Sequence, residues 1–180
     1  MKLPILLRKI HHWGSIVIAI PLVVMIGAGI FLQLKKEIDW IQPPSRTGVV
    51  TNQVPPTTVA ELFEAAAGVP EAGINTWSDL DRVDFKPDRG IIKFISKSRW
   101  EVQVDTTTVE VLQVSYRRSD LIESIHDGSF FAGEATKLYL FLPAGIALFV
   151  LWLTGLYMFF LPYFKKAQKK NKKNKKKARV

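Results

Sequence analysis

The 180-residue sequence contains no cysteine. This absence excludes disulfide bonds, thiolate metal sites and a cysteine nucleophile. The sequence also lacks a glycine-rich phosphate loop, a His-Glu-x-x-His motif and a nucleophile elbow with Ser, His and Asp partners. We therefore expect no catalysis by this chain alone, because its carboxylates are typical of solvated turns rather than of a converging acid–base pair (Asp79, Asp81, Asp84 and Asp88).

Charged residues and histidine are missing from two long stretches, Trp13 to Leu34 and Leu138 to Phe164. At 1.5 Å per residue, a helix of either stretch would exceed the ~30 Å thickness of the bilayer's hydrocarbon core. They predict transmembrane helices over residues 13–34 and 138–164, and Pro21 and Pro143 do not contradict this prediction, because proline is tolerated in such helices. A cleaved signal peptide is a weaker alternative for the first stretch, because Leu34 leads into charged residues without a cleavage site.

The net charge of +9 belongs to the two ends of the chain. All 16 acidic residues lie between Glu37 and Glu134, and residues 35–137 carry a net negative charge. We therefore expect the basic tail to contact anionic lipid head groups, each cation contributing about 1 kcal/mol, and we expect no nucleic-acid partner. The candidate lipid contacts are Lys165, Lys166, Lys169, Lys170, Lys172 and Lys173.

Basic residues also predict the orientation, because cytoplasmic flanks of membrane spans are enriched in Lys and Arg. Arg8 and Lys9 precede the first span, and the lysine run follows the second. We expect the N-terminus (residues 1–12) and the tail (residues 165–180) to be cytoplasmic. The central region of this two-pass protein is then periplasmic or extracellular.

The region between the spans predicts a small α+β domain. Residues 35–56 include a Pro-, Thr-, Ser- and Gly-rich linker. A helix capped by Thr57 or Thr58 should follow, with Glu61 in its first turn and an end at Gly68. Its apolar stripe is Val59, Leu62, Phe63 and Ala66.

Four strand-like runs follow this helix and predict an antiparallel sheet within a domain of residues 57–116. We expect one face of the sheet to pack on the helix and residues 117–137 to connect the domain to the second span. Lys93, Glu101, Gln103 and Glu110 are expected to face water on the other side. The runs are Arg82–Phe85, Gly90–Ile95, Trp100–Val104 and Val109–Val114.

The helix and strands, with the step from Val102–Asp105 into Val109–Leu112, resemble a PepSY domain. The flanking motifs RKIHHWG (Arg8–Gly14), IHDGSF (Ile125–Phe130) and LTGLY (Leu153–Tyr157) are similar to the PepSY-associated transmembrane family of bacterial inner membranes. The resemblance covers residues 5–160. It implies two transmembrane helices that flank a PepSY-like outer domain.

Larger members of this family have four or more spans, and some carry haem on transmembrane histidines and serve iron or siderophore uptake or reduction. The resemblance therefore makes His11, His12 and His126 candidate ligands of haem b. In one chain His126 lies across the bilayer from the other two, so one chain cannot supply two axial ligands of the same haem. A homodimer could, by pairing His12 with its mate on the inner side and His126 with its mate on the outer side. The alternative is interfacial histidines that bond head groups, backbone or helix ends.

The sequence leaves several functions open. One is a binding or regulatory module whose outer domain contacts a membrane or periplasmic protein partner, with a sheet edge that accepts an added strand. Another is a haem-bearing electron-transfer subunit that acts as a homodimer or beside another protein. Inhibition or chaperoning of a secreted metallopeptidase is a third, by analogy with PepSY domains of propeptides.

Overall fold

The computed structural model describes residues 3–177, with side chains for residues 5–166. Backbone contacts divide the chain into two units. The helical unit comprises residues up to Gly27 and from Ile125 onward, and the sheet unit comprises Ala28–Ser124. The polypeptide therefore leaves the helical unit once, forms the sheet unit from one continuous segment and returns.

The first apolar segment is a bent pair of helices, α1 (Leu3–Val17) and α2 (Ala19–Gln33). The two axes differ by 66°. Pro21 accounts for the bend, because it has no N–H for the carbonyl of Val17 and its ring crowds that carbonyl. The segment expected as one helix over residues 13–34 is therefore broken, and it provides a membrane span only if the pair is counted as one.

The second apolar segment contains a helix long enough to cross a membrane, Ser129–Lys166, with a mean hydropathy of 2.1 in its apolar window. It consists of α5 (Ser129–Thr136), a π-helical turn (Lys137–Phe141) and α6 (Leu142–Lys177). The π-helical turn precedes Pro143, whose nitrogen carries no hydrogen and therefore cannot donate a hydrogen bond to the preceding turn. Together with α4 (Arg118–His126), α5 makes much of the expected connection over residues 117–137 helical.

The sheet unit contains four antiparallel strands in the order β1-β2-β3-β4. Helix α3 (Val59–Ala67) precedes them and begins at Thr58, which accepts a hydrogen bond from the Glu61 amide. The Glu61 carboxylate accepts one from the Thr58 amide in return at 2.7 Å, as in a capping box. The strands are β1 (Leu80–Lys86), β2 (Ile91–Ser96), β3 (Trp100–Asp105) and β4 (Val111–Tyr116).

The main hydrophobic core of the sheet unit lies between α3 and one face of β2 and β3. Leu62 and Ala66 of α3 meet alternate residues of the strands, and Phe63 and Val114 pack at the margin. This confirms an α+β arrangement with a helix against an antiparallel sheet. The buried strand residues are Ile92, Phe94, Val102 and Val104.

The expectation that Lys93, Glu101 and Gln103 face water is wrong, because these three residues are at most 3% exposed. The predicted linker covers this second face of the sheet. The Gln103 side chain donates to the carbonyl of Pro44 at 2.9 Å and accepts from the Arg46 amide at 2.8 Å. We call residues 41–50 the strap. Glu110, by contrast, is exposed as expected.

The last predicted strand begins two residues too early. Val109 has a φ of +64° and belongs to the turn that precedes β4. The Asp105 carboxylate shapes this turn by accepting hydrogen bonds from the Thr107 and Thr108 amides, and it also accepts one from the Val49 amide of the strap. Asp105 therefore fastens the strap to the end of β3.

Candidate functional site

Strand β1 forms an edge of the sheet. It pairs with β2, and within residues 3–177 no strand pairs with its outer side. Five of its seven residues are exposed. Its outward N–H and C=O groups can therefore bond an added strand.

An apolar strip lies along this edge, on the side of the sheet that α3 covers. Val83 and Phe85 stand opposite Phe94 and Ile92 of β2, yet they are 37% and 45% exposed. Trp77 is 52% exposed and stacks on Phe63 with ring centroids 4.4 Å apart. Helix α3 packs on β2 and β3, so it leaves the apolar strip on β1 partly uncovered beside it. We call Trp77, Val83 and Phe85 the edge strip.

The other side of β1 is charged. Arg82 contacts three carboxylates: Asp81 at 2.9 Å, Asp120 at 3.3 Å and Asp84 at 3.8 Å. Burial raises the pKa of Asp120, but the hydrogen bond and charge of Arg117 and the charge of Arg82 outweigh burial and hold this pKa below its usual value. Arg82 therefore joins the edge to the N-terminal turn of α4.

A buried ion network supports the edge from the second face of the sheet. Glu101 contacts Lys93 at 3.0 Å, accepts a hydrogen bond from Arg117 and accepts another from Gln103. Arg117 in turn contacts Asp120 at 3.0 Å. Every charge in the network has an opposite partner, which is the condition for keeping charge away from water.

His126 lies at the C-terminal end of α4, and its Nδ1 lies 2.8 Å from the carbonyl oxygen of Met25. A carbonyl only accepts, so Nδ1 carries the proton. A metal would therefore be bound through Nε2, the arrangement typical of metal-ligating histidine. His126 lines a cavity of about 520 Å³ whose other polar residues are Asp127 and Lys137, 3.4 Å apart.

His11 lines a second cavity, of about 450 Å³, with apolar residues of α1, α2 and α6. Its Nδ1 is buried and has no hydrogen-bond partner within the described residues. Gly155 of the LTGLY motif lies beside the ring, since a Cβ there would be 3.5 Å from His11 Cε1. The exposed His12 packs edge-on against Trp13 and lines a third cavity, of about 350 Å³.

The three histidines thus lie in three different cavities. The surroundings of His126 suit a haem held through Nε2, because its protonated Nδ1 is oriented by a carbonyl and the cavity beside it is mainly apolar. His11 fits less completely, because none of the described residues bonds its Nδ1. Within the described residues, no group of three or more His, Asp and Glu is placed to hold a metal ion.

The basic tail begins as an exposed continuation of α6. Lys165 and Lys166 are exposed, and the helix runs to Lys177. The other predicted lipid contacts have side chains outside the described residues (Lys169, Lys170, Lys172 and Lys173). Lipid contact by the tail stays a prediction.

The sheet edge could be suspected from the sequence, whereas the buried ion network could not. Lys93, Glu101 and Gln103 alternate with apolar residues along β2 and β3, which is a pattern typical of a solvated face. The strap, more than 50 residues earlier in the chain, covers Gln103, and Arg117, 16 residues after Glu101, bonds the Glu101 carboxylate.

Comparison with known proteins gives one match. A family model described as the PepSY-associated TM region matches residues 8–180. No curated protein and no solved structure matches the chain. The match spans both the helical unit and the sheet unit and agrees with the flanking motifs. This chain therefore belongs to the PepSY-associated TM region family and is a membrane-associated protein of the PepSY type.

Proposed function

We propose that this protein is a membrane-anchored, non-enzymatic binding module that captures an extended protein segment along the outer side of β1. The observation that carries the proposal is the unpaired edge of β1 beside the half-exposed Val83 and Phe85. An added strand would gain main-chain hydrogen bonds from the edge and cover apolar area on the edge strip.

The proposal includes a two-pass topology in the bacterial inner membrane. In it α1 and α2 together form one span, both termini are cytoplasmic and the sheet unit is periplasmic. The basic residues at both ends of the chain favour this orientation. By family resemblance, the proposal links this protein to iron or siderophore uptake.

Site-specific photo-crosslinking in membranes tests the capture. A photoreactive residue at Phe85 is expected to form adducts, and one at the strap-flanking Val54, which is 90% exposed, serves as the matched control. Proline at Arg82, Val83 or Asp84, introduced one at a time with the photoreactive residue kept at position 85, should abolish the adduct wherever it removes an outward N–H. Adducts that persist in all three proline variants would refute capture by the strand edge.

A haem-bearing electron-transfer subunit is the second candidate. It is favoured by the Nδ1-to-carbonyl hydrogen bond of His126, which leaves Nε2 available to hold a haem. Haem would supply one-electron transfer there, and a second histidine would have to come from another copy or another protein. An absorption spectrum of the haem-supplied protein tests this candidate. A Soret band that is lost in His126→Ala supports it, and a colourless wild-type protein excludes it.

A further inference from the structure

A second copy of this chain can extend the sheet at β1. Two antiparallel β1 strands related by a two-fold axis would join two four-stranded sheets into one. Directly opposite residues of antiparallel strands face the same side of the sheet. The faces of the two sheets therefore stay aligned only in registers where one residue of β1 lies opposite its own copy, and the central candidates are Arg82, Val83 and Asp84.

Charge selects one of these three registers. A register centred on Arg82 places two guanidinium groups opposite each other. A register centred on Asp84 places two carboxylates opposite each other and Arg82 opposite Lys86. A register centred on Val83 instead places Arg82 of each copy opposite Asp84 of the other. Opposite charges in facing positions stabilise a strand pair and like charges destabilise it.

The other face of the strand agrees with the same register. Val83 would lie opposite its own copy, and Phe85 would lie diagonal to Val83 of the second copy, within reach of an aromatic side chain. These two are the half-exposed residues of β1 on the α3 side. On this face the register brings the two Val83 side chains together with Phe85 beside them, and it places Phe85 directly opposite Asp81, at the irregular start of the strand. The register is therefore selected by the opposite charges of Arg82 and Asp84 on the other face.

We propose that β1 of one copy pairs with β1 of a second copy in the register centred on Val83; this rests on the proposed role of the β1 edge and names its partner. The opposite edge of the sheet, β4, has no charged residue and is half-buried throughout, so charge cannot select a strand register there. The irregularity between Leu80 and Arg82 keeps the shared stretch short. Confinement of both copies to one membrane raises their effective concentration and offsets this shortness.

The absence of cysteine makes the register measurable in the full-length protein. In Val83→Cys, the two Cα atoms would be about 4.5–5.5 Å apart, which is within disulfide range. In the matched control Phe85→Cys, the two positions would be four residues apart along the strands, roughly 14 Å, and beyond that range. Mild oxidation in membranes should give a disulfide dimer from Val83→Cys at several times the yield from Phe85→Cys. Equal yields, or no dimer from Val83→Cys, would overturn the register.

A charge exchange tests the selection independently. In the Val83→Cys background, Asp84→Arg places two arginines opposite each other and should lower the dimer yield several-fold. Adding Arg82→Asp restores opposite charges in facing positions and should recover most of the yield. A dimer yield that is the same with and without both substitutions would show that the charges do not select the register.

Photo-crosslinking and disulfide formation in the same membranes distinguish this inference from the proposed function. Photo-crosslinks from Phe85 to other proteins, combined with a monomeric Val83→Cys, would overturn self-pairing and leave strand capture standing. Neither photo-crosslinks nor a disulfide dimer would refute both. A Val83→Cys dimer whose yield responds to the charge exchange supports both, with a second copy as the captured partner.

Discussion

The helical unit and the sheet unit place their polar and apolar groups in opposite ways. In the apolar window of Ser129–Lys166 only 11% of the residues are buried, and large side chains such as Phe149 and Trp152 point outward. In the sheet unit, Lys93 and Glu101 are nearly inaccessible. Lipid makes outward apolar side chains favourable, whereas a buried charge is tolerated only when it is paired. The difference predicts which changes should damage each unit.

The largest effect is expected from Glu101→Ala. It leaves Lys93 and Arg117 buried with too little negative charge, which costs about 3–5 kcal/mol for a broken buried pair. Hydrogen exchange of residues 91–105 should accelerate, while exchange of residues 142–160 stays unchanged. Asp81→Ala removes an exposed contact of Arg82 and is the control, with an expected cost below about 1 kcal/mol. Equal effects of both variants would contradict the distinction between buried and exposed charge.

A second effect should be confined to the helical unit. Gly128 has a φ of +84°, and a Cβ there would collide with the ring of Phe141. We expect Gly128→Ala to lower the free energy of unfolding by about 2 kcal/mol, because a non-glycine residue held in this backbone conformation alone costs about 1–3 kcal/mol. Thermal unfolding in detergent measures it. Gly27→Ala is the control, because a Cβ there meets nothing within 4 Å. An unchanged melting temperature for Gly128→Ala would remove the strain argument.

Local patterns in the sequence predicted local structure well. A cap at Thr57 or Thr58 predicted the start of α3, which begins after Thr58, and turn residues separated the four strands in their observed order. The environment of Gln103 could not be predicted, because its cover comes from Arg46, 57 residues earlier. The partner of His126 is likewise 101 residues away, at Met25. Alternation predicts which residues share a face, but not what covers that face.

A third and smaller effect should appear at the start of α3. Thr58→Ala removes the side-chain oxygen that accepts from the Glu61 amide, at a cost of about 1 kcal/mol. Thr58→Ser keeps that oxygen and should remain close to wild type. Denaturant unfolding followed by tryptophan fluorescence measures the difference, and Trp77 contributes to this signal because it stacks on Phe63 of α3. Equal destabilisation by both variants would assign the loss to the methyl group instead of the cap.

The smallest effect should appear only in acid. The pKa of Asp120 is lowered in the folded chain, since Arg117 and Arg82 outweigh the effect of burial. Its contribution to stability is therefore complete above the unfolded pKa of about 3.9 and is lost as pH falls through the lower folded value. Unfolding curves from pH 7 to pH 2 should show this loss below about pH 4 for the wild type and a flatter dependence for Asp120→Asn. Parallel curves would show that the stability of the sheet unit is not linked to the titration of this carboxylate.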